Sequence, residues 1–153
     1  MNEIKTITAE FYETKVTGNR VDDSGLEKKV TDIYVFDALS FTEAENNAIE
    51  QGKSFFGIDF KVSAISIAPY SEVFFSNNPN EGKWYKVKVA FITIDEKTAK
   101  ERKQKITYLV QGSSVETARN NVDTAFPTSV MDYEIISVSE TNILDVVING
   151  KQD

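Results

Sequence analysis

The chain has 153 residues, 41% hydrophobic and 27% charged, with 17 Lys/Arg against 24 Asp/Glu for a net charge of −7. This suits one folded domain over 1–153 with a sizeable core, and an acidic balance disfavours nonspecific attachment to nucleic acid or anionic membrane. The absence of both cysteine and histidine excludes disulfides, thiolate or imidazole metal sites, cysteine nucleophiles and the usual neutral-pH general base, so no metal or cofactor is expected.

From the N-terminus, Met1 to Thr6 lacks the basic head and apolar run of a signal peptide. No apolar stretch approaches the roughly 18–20 residues of a membrane helix, so a soluble, cytoplasmic protein with no membrane contact is expected. Ile4–Val16, rich in Thr, aromatic and β-branched residues, predicts a strand, and the turn formers Thr17–Gly25 separate it from a second strand over Val30–Leu39. Ser40 then offers an N-cap with Glu43 three residues on, and Phe41, Ala44, Ala48 and Ile49 repeat at helical spacing up to a C-cap near Gly52. Phe60–Ile67 predicts a third strand and Ser71–Phe75 a short fourth.

Asn77–Gly82 reads as a linker, after which the order recurs. A strand over Lys83–Ile94, a charged turn over Asp95–Arg102 and a strand over Lys105–Gln111 lead to a helix from Ser114 that Pro127 breaks. Strands over Tyr133–Ser139 and Leu144–Ile148 follow. The recurrence is visible in residues: Tyr34/Tyr108, Ser40/Ser114, Ala44/Ala118, Asn46/Asn120 and Asn47/Asn121 match, as do Ser66/Ser139 and Val73/Val146, with Glu72 aligned to Asp145. The expectation is an α+β fold of two tandem ββαβ-type repeats, about 4–76 and 83–148. The linker 77–82 joins them, a pseudo-twofold relates them, and both helices pack on one mostly antiparallel sheet.

Alternation within the strands points to where binding chemistry could lie. In the strand from Lys83, Tyr85, Val87, Val89 and Phe91 share one face, and Trp84, Lys86, Lys88 and Ala90 share the other. Trp84 with Lys86 and Lys88 pairs a stacking platform with two cations, as in single-stranded nucleic-acid binders, and Arg102, Lys103 and Lys105 crowd the following turn with Lys97 and Lys100. The bland reading is a solvated hairpin tip whose Asp95, Glu96 and Glu101 offset those cations. Phe11, Glu13 and Lys15 hold the corresponding strand of the first repeat, so the basic pairing is not symmetric. The first 76 residues hold seven Lys/Arg against 13 Asp/Glu, a net of −6, while the remainder holds ten against 11, a net of −1, which places anion affinity in the second half. The asparagine pairs read as structural hydrogen bonding or shared ancestry, with a ligand site as the sharper alternative. Asp22 and Asp23 read as turn chemistry, whereas Glu72 and Asp145, brought together, would form a raised-pKa carboxylate pair and hence an enzyme. No phosphate loop, nucleophile elbow, zinc pattern or dinucleotide fingerprint is present.

The segments Lys83-Trp-Tyr-Lys-Val-Lys-Val89, Ser114-Val-Glu-Thr-Ala-Arg119 and Ile136-Ser-Val-Ser-Glu-Thr141 resemble a family of about this length, a domain of unknown function associated with gut Bacteroidota, their phages and mobile elements. The resemblance implies an intracellular accessory role, in the host cytoplasm if phage-encoded, and supplies no catalytic residues. The function expected is a non-catalytic binding or accessory protein, homo-oligomeric or held to a protein partner, that recognises a protein or a small, nucleotide-like ligand as an inhibitor or sequestering protein. The alternatives are a single-stranded nucleic-acid-binding accessory protein using the Trp84 face and the 97–105 basic hairpin, and an enzyme using paired carboxylates.

Overall fold

The first hairpin is longer than its turn formers suggest. In a computed structural model, which describes residues 10–56, 59–126, 132–148 and 151–152, β1 (Glu10–Val21) pairs antiparallel with β2 (Glu27–Ala38) along its whole length. The expected turn over Thr17–Gly25 shrinks to Asp22–Leu26. There the Asp22 side chain accepts from the amides of Ser24 and Leu26 at 2.9 and 3.0 Å, and Gly25 adopts a φ of 85° that suits glycine. Gly18 and Asn19, turn formers by type, are strand residues here because pairing with Val30 and Lys29 satisfies their backbones. The part of the expected first strand over 4–9 lies outside the described residues.

Helix α1 (Phe41–Phe56) begins where expected, with Ser40 Oγ accepting from the Glu43 amide at 3.1 Å. It then runs through Gly52 instead of ending there. Gly52 is buried inside the helix, and a Cβ at that position would lie 2.4 Å from the Phe60 ring, so this glycine is a packing choice and not a cap. β3 (Phe60–Ile67) pairs antiparallel with β1 on its outer edge. Tyr12, Val16, Tyr34, Phe36, Ala38, Ala44 and Ala48 are buried between this sheet and α1, at roughly 1.5–3 kcal/mol for each large side chain.

The chain next contributes a short parallel strand, β4 (Glu72–Phe74), to a second sheet. That sheet is built on β5 (Lys83–Ile94) and β6 (Glu101–Gly112), a hairpin whose second strand starts earlier than the expected Lys105. Helix α2 (Val115–Ala125) carries a full capping box: the Ser114 side chain accepts from the Thr117 amide and the Thr117 side chain accepts from the Ser114 amide. β7 (Tyr133–Glu140) closes the outer edge against β5. Its core joins Tyr85, Val87, Val89, Phe91, Tyr108 and Val110 to Ala118 and Val122 of α2.

The last segment, β8 (Ile143–Ile148), pairs parallel with β2, and β9 (Lys151–Gln152) pairs antiparallel with β8. The molecule is therefore α+β with two sheets, β3-β1-β2-β8-β9 and β4-β6-β5-β7. The single sheet carrying both helices is corrected: each helix packs on its own sheet, because each hairpin closes an apolar face of its own. By contacts the chain divides into one compact unit of 1–68 with 143–153, and another of 69–142. Each half of the sequence lends its final strand to the sheet built by the other half. The registers of the two loans correspond, with Asp145 opposite Tyr34 and Glu72 opposite Tyr108.

Candidate functional site

Alternation along β5 and its register with β6 determine which basic side chains share a surface. Tyr85 to Phe91 on odd positions face α2, so even positions face away from it. Lys86 stands opposite Leu109, Lys88 opposite Thr107, Ala90 opposite Lys105 and Ile92 opposite Lys103. Lys86, Lys88, Lys103 and Lys105 thus share the face away from the helix. Residues two apart on a strand are about 6.6 Å apart and neighbouring strands about 4.8 Å, so these ammonium groups lie within reach of one extended anionic partner. Arg102 falls on the opposite face, where it pairs with Asp95 at 3.6 Å.

Trp84 belongs to the same face by register, yet only 1% of it is exposed. Its ring stands edge-on to Phe75 at 5.3 Å, and its carbonyl accepts from both the amide and the hydroxyl of Thr141 at 2.9 and 2.8 Å. The indole is therefore enclosed and presents no stacking surface. Lys103 is neutralised by Glu134 at 2.9 Å; that hydrogen bond and then the carboxylate's charge raise its pKa. Lys86, Lys88 and Lys105 have no carboxylate within 4.0 Å among the described residues. Three uncompensated cations on one sheet face are the main chemical feature of this unit.

The first unit has a corresponding surface. Lys15, Lys29 and Lys61 occupy the face of its sheet away from α1, around a cluster in which the Thr17 hydroxyl meets those of Thr31 and Ser63, each at 3.0 Å. An open groove of about 400 Å³ runs beside them, lined by Lys29, Lys61, Thr17, Gly18, Asn19 and Asp59 among others. Sequence reading overlooked this site because it followed β1 alone, which carries a single lysine, Lys15. Reading β2 and β3 at the same register would have supplied Lys29 and Lys61.

The carboxylates divide differently. Glu72 lies on β4 in one unit and Asp145 on β8 in the other, so neither unit contains both. Each instead sits beside a tyrosine. Burial and then the charge of Glu72 raise the Tyr108 pKa. Burial, the charge of Asp32 and a hydrogen bond to it push the Tyr34 hydroxyl above its usual range, with Arg20 opposing and Asp145 adding a smaller push. Arg20 holds Asp32 at 2.6 Å and also lies 4.7 Å over the Phe56 ring.

A buried carboxylate that sequence reading missed is Glu81, only 8% exposed although it lies in the loop between β4 and β5. The Ser76 hydroxyl and the Asn121 side-chain amide donate to it, the latter at 3.1 Å, and Asn121 also donates to the Gln111 carbonyl at 2.7 Å. Those donations, Ser76 first and Asn121 second, hold the Glu81 carboxyl below its usual range against the opposing effect of burial. Asn121 thus ties the β4–β5 loop to α2 and β6. Its neighbour Asn120 and the corresponding Asn46 are exposed, so one member of the repeated pairs carries this bond. Among the described residues there is no cluster of acidic side chains able to hold a metal ion, and no helix is long and apolar enough to cross a membrane.

The fold and this surface define a two-unit α+β protein with lysines on the sheet faces turned away from its helices. The chain belongs to the family described as a domain of unknown function, DUF4494, whose match spans residues 10–149. No curated protein and no solved structure matches it.

Proposed function

We propose that this protein is a non-catalytic binding protein, built from two tandem copies of one ββαβ unit, that holds an acidic protein partner on the lysine face of its second unit. The observation that supports this is the set of three uncompensated lysines, Lys86, Lys88 and Lys105, on one sheet face of a chain whose net charge is −7. In an acidic protein a patch with a net positive charge attracts an oppositely charged partner while the rest of the surface repels it, which favours one docking orientation. Phage or mobile-element origin, with a role in inhibiting or sequestering a host factor, is a compatible setting.

The nucleic-acid reading keeps the lysines but loses its platform, since the Trp84 ring is enclosed by Phe75. Fluorescence anisotropy with an oligoglutamate peptide and, separately, a thymidine oligonucleotide, across a salt series, tests both readings. The expected result is salt-sensitive peptide binding that falls by roughly tenfold or more in Lys86→Glu/Lys88→Glu, mainly through slower association and a weaker salt dependence. Tighter binding of the oligonucleotide would transfer the site to nucleic acid. Absence of binding to both probes at low salt would end the proposal.

A further inference from the structure

The two sheets treat one pair of positions in opposite ways. In the second unit, Lys103 lies opposite Ile92 and Glu134 opposite Ala90, and the two side chains reach across β5 to form an ion pair at 2.9 Å. In the first unit, Lys29 lies opposite Asn19 and Lys61 opposite Thr17, which is the same diagonal across β1. An attractive pair in one unit is therefore a repulsive pair in the other. Two ammonium groups on such a diagonal disfavour each other unless an anion stands between them. Neither has a carboxylate within 4.0 Å among the described residues.

The surroundings fit an occupant. A groove of about 400 Å³ has Thr17, Asn19, Lys29 and Lys61 on its walls; Gly18, which stands where the second unit has Phe91, leaves room for Phe56 on the α1 face and is not what opens the groove. Asp59 stands on the same groove as the single acidic lining group and can accept from a hydroxyl or amine of a ligand. We infer that Lys29 and Lys61 form a binding site for a small molecule bearing an oxyanion, a phosphate or a carboxylate, on the first unit. This site shares no residue with the partner surface on the second unit.

The test is a ¹H–¹⁵N NMR titration of the full chain at constant ionic strength, with inorganic phosphate in one arm and citrate in the other. Saturable shifts confined to the amides of Thr17, Gly18, Asn19, Lys29 and Lys61 are expected, and the arm that saturates first identifies the preferred oxyanion. Lys61→Glu should abolish them and raise the melting temperature by restoring the ion pair seen in the second unit. Lys61→Gln should weaken binding roughly tenfold without that gain, one charge-assisted contact having been removed. Shifts of equal size at Lys86 and Lys88, shifts that never saturate, or shifts that persist in Lys61→Glu would each reduce the site to nonspecific ion attraction and overturn the inference. Failure of peptide binding at Lys86 and Lys88 would leave this result untouched.

Discussion

Two residues show how position overrides type. In a solvated helix, replacing glycine with alanine gains up to about 1 kcal/mol. At Gly52 the added methyl would meet the Phe60 ring at 2.4 Å, so Gly52→Ala is expected to destabilise by about 1–3 kcal/mol through overpacking. Urea denaturation compares the two variants directly, and a more stable Gly52→Ala protein would mean that the helix does end before this contact. Glu81 provides the second case. Its folded carboxyl is held below its ordinary value of 4.5, so its contribution to stability is complete above that pH and is lost as pH falls through the lowered folded value. Acid denaturation should therefore be shallower below about pH 4.5 in Glu81→Gln than in the parent, with little difference in that slope near neutrality. Equal slopes in both proteins would remove Glu81 from the acid response.

The strand elements explain what could be read in advance. β4 has only Glu72–Phe74, yet Phe74 stacks on Tyr108 at 5.0 Å and meets Phe126 edge-on at 5.4 Å. Truncating Phe74→Ala should cost about 3 kcal/mol, far more than a three-residue strand suggests, with thermal melting as the readout. The apolar face of β5 was legible because period-two alternation reports a local geometry, and Ser114 was legible because capping is equally local. The full reach of the hairpins was not, since Gly18 and Asn19 resemble turn residues until β2 pairs with them. Nor was the burial of Trp84, because alternation assigns a side chain to a face without saying what covers that face. Lys86 and Lys88 lie on the expected side of β5, and the structure adds Lys29 and Lys61 beside Lys15, brought together through pairing across strands distant in sequence. Both outer strands carry a bulge at the same place, Ser63 on β3 and Ile136 on β7. Such a bulge locally breaks the pairing edge and discourages another chain from extending the sheet.

At the scale of the whole chain, the loan of strands has a consequence that two separate repeats would not. A fragment ending before 77 contains β1, β2, α1 and β3 but not β8, which β2 needs on its parallel side, and it carries β4 with no β6 to receive it. The complementary fragment has the reverse deficit. Val35, Val146 and Val147 on the β2–β8 pairing and Leu109 and Val110 on β6 are buried, so separating the halves exposes apolar surface together with unpaired strand backbone. The loop between β4 and β5 offers a clean place to cut, as residues 77–80 are exposed. A protease site placed there should yield two fragments that still coelute on size-exclusion chromatography after cleavage. Each fragment purified alone from denaturant should fail to regain a cooperative melt, or should dimerise by exchanging strands with its own copy, and mixing the two should restore the parent transition. If the cut fragments instead separate as folded monomers, the parallel strands β4 and β8 contribute little to stability, and the units would be independent neighbours on one chain.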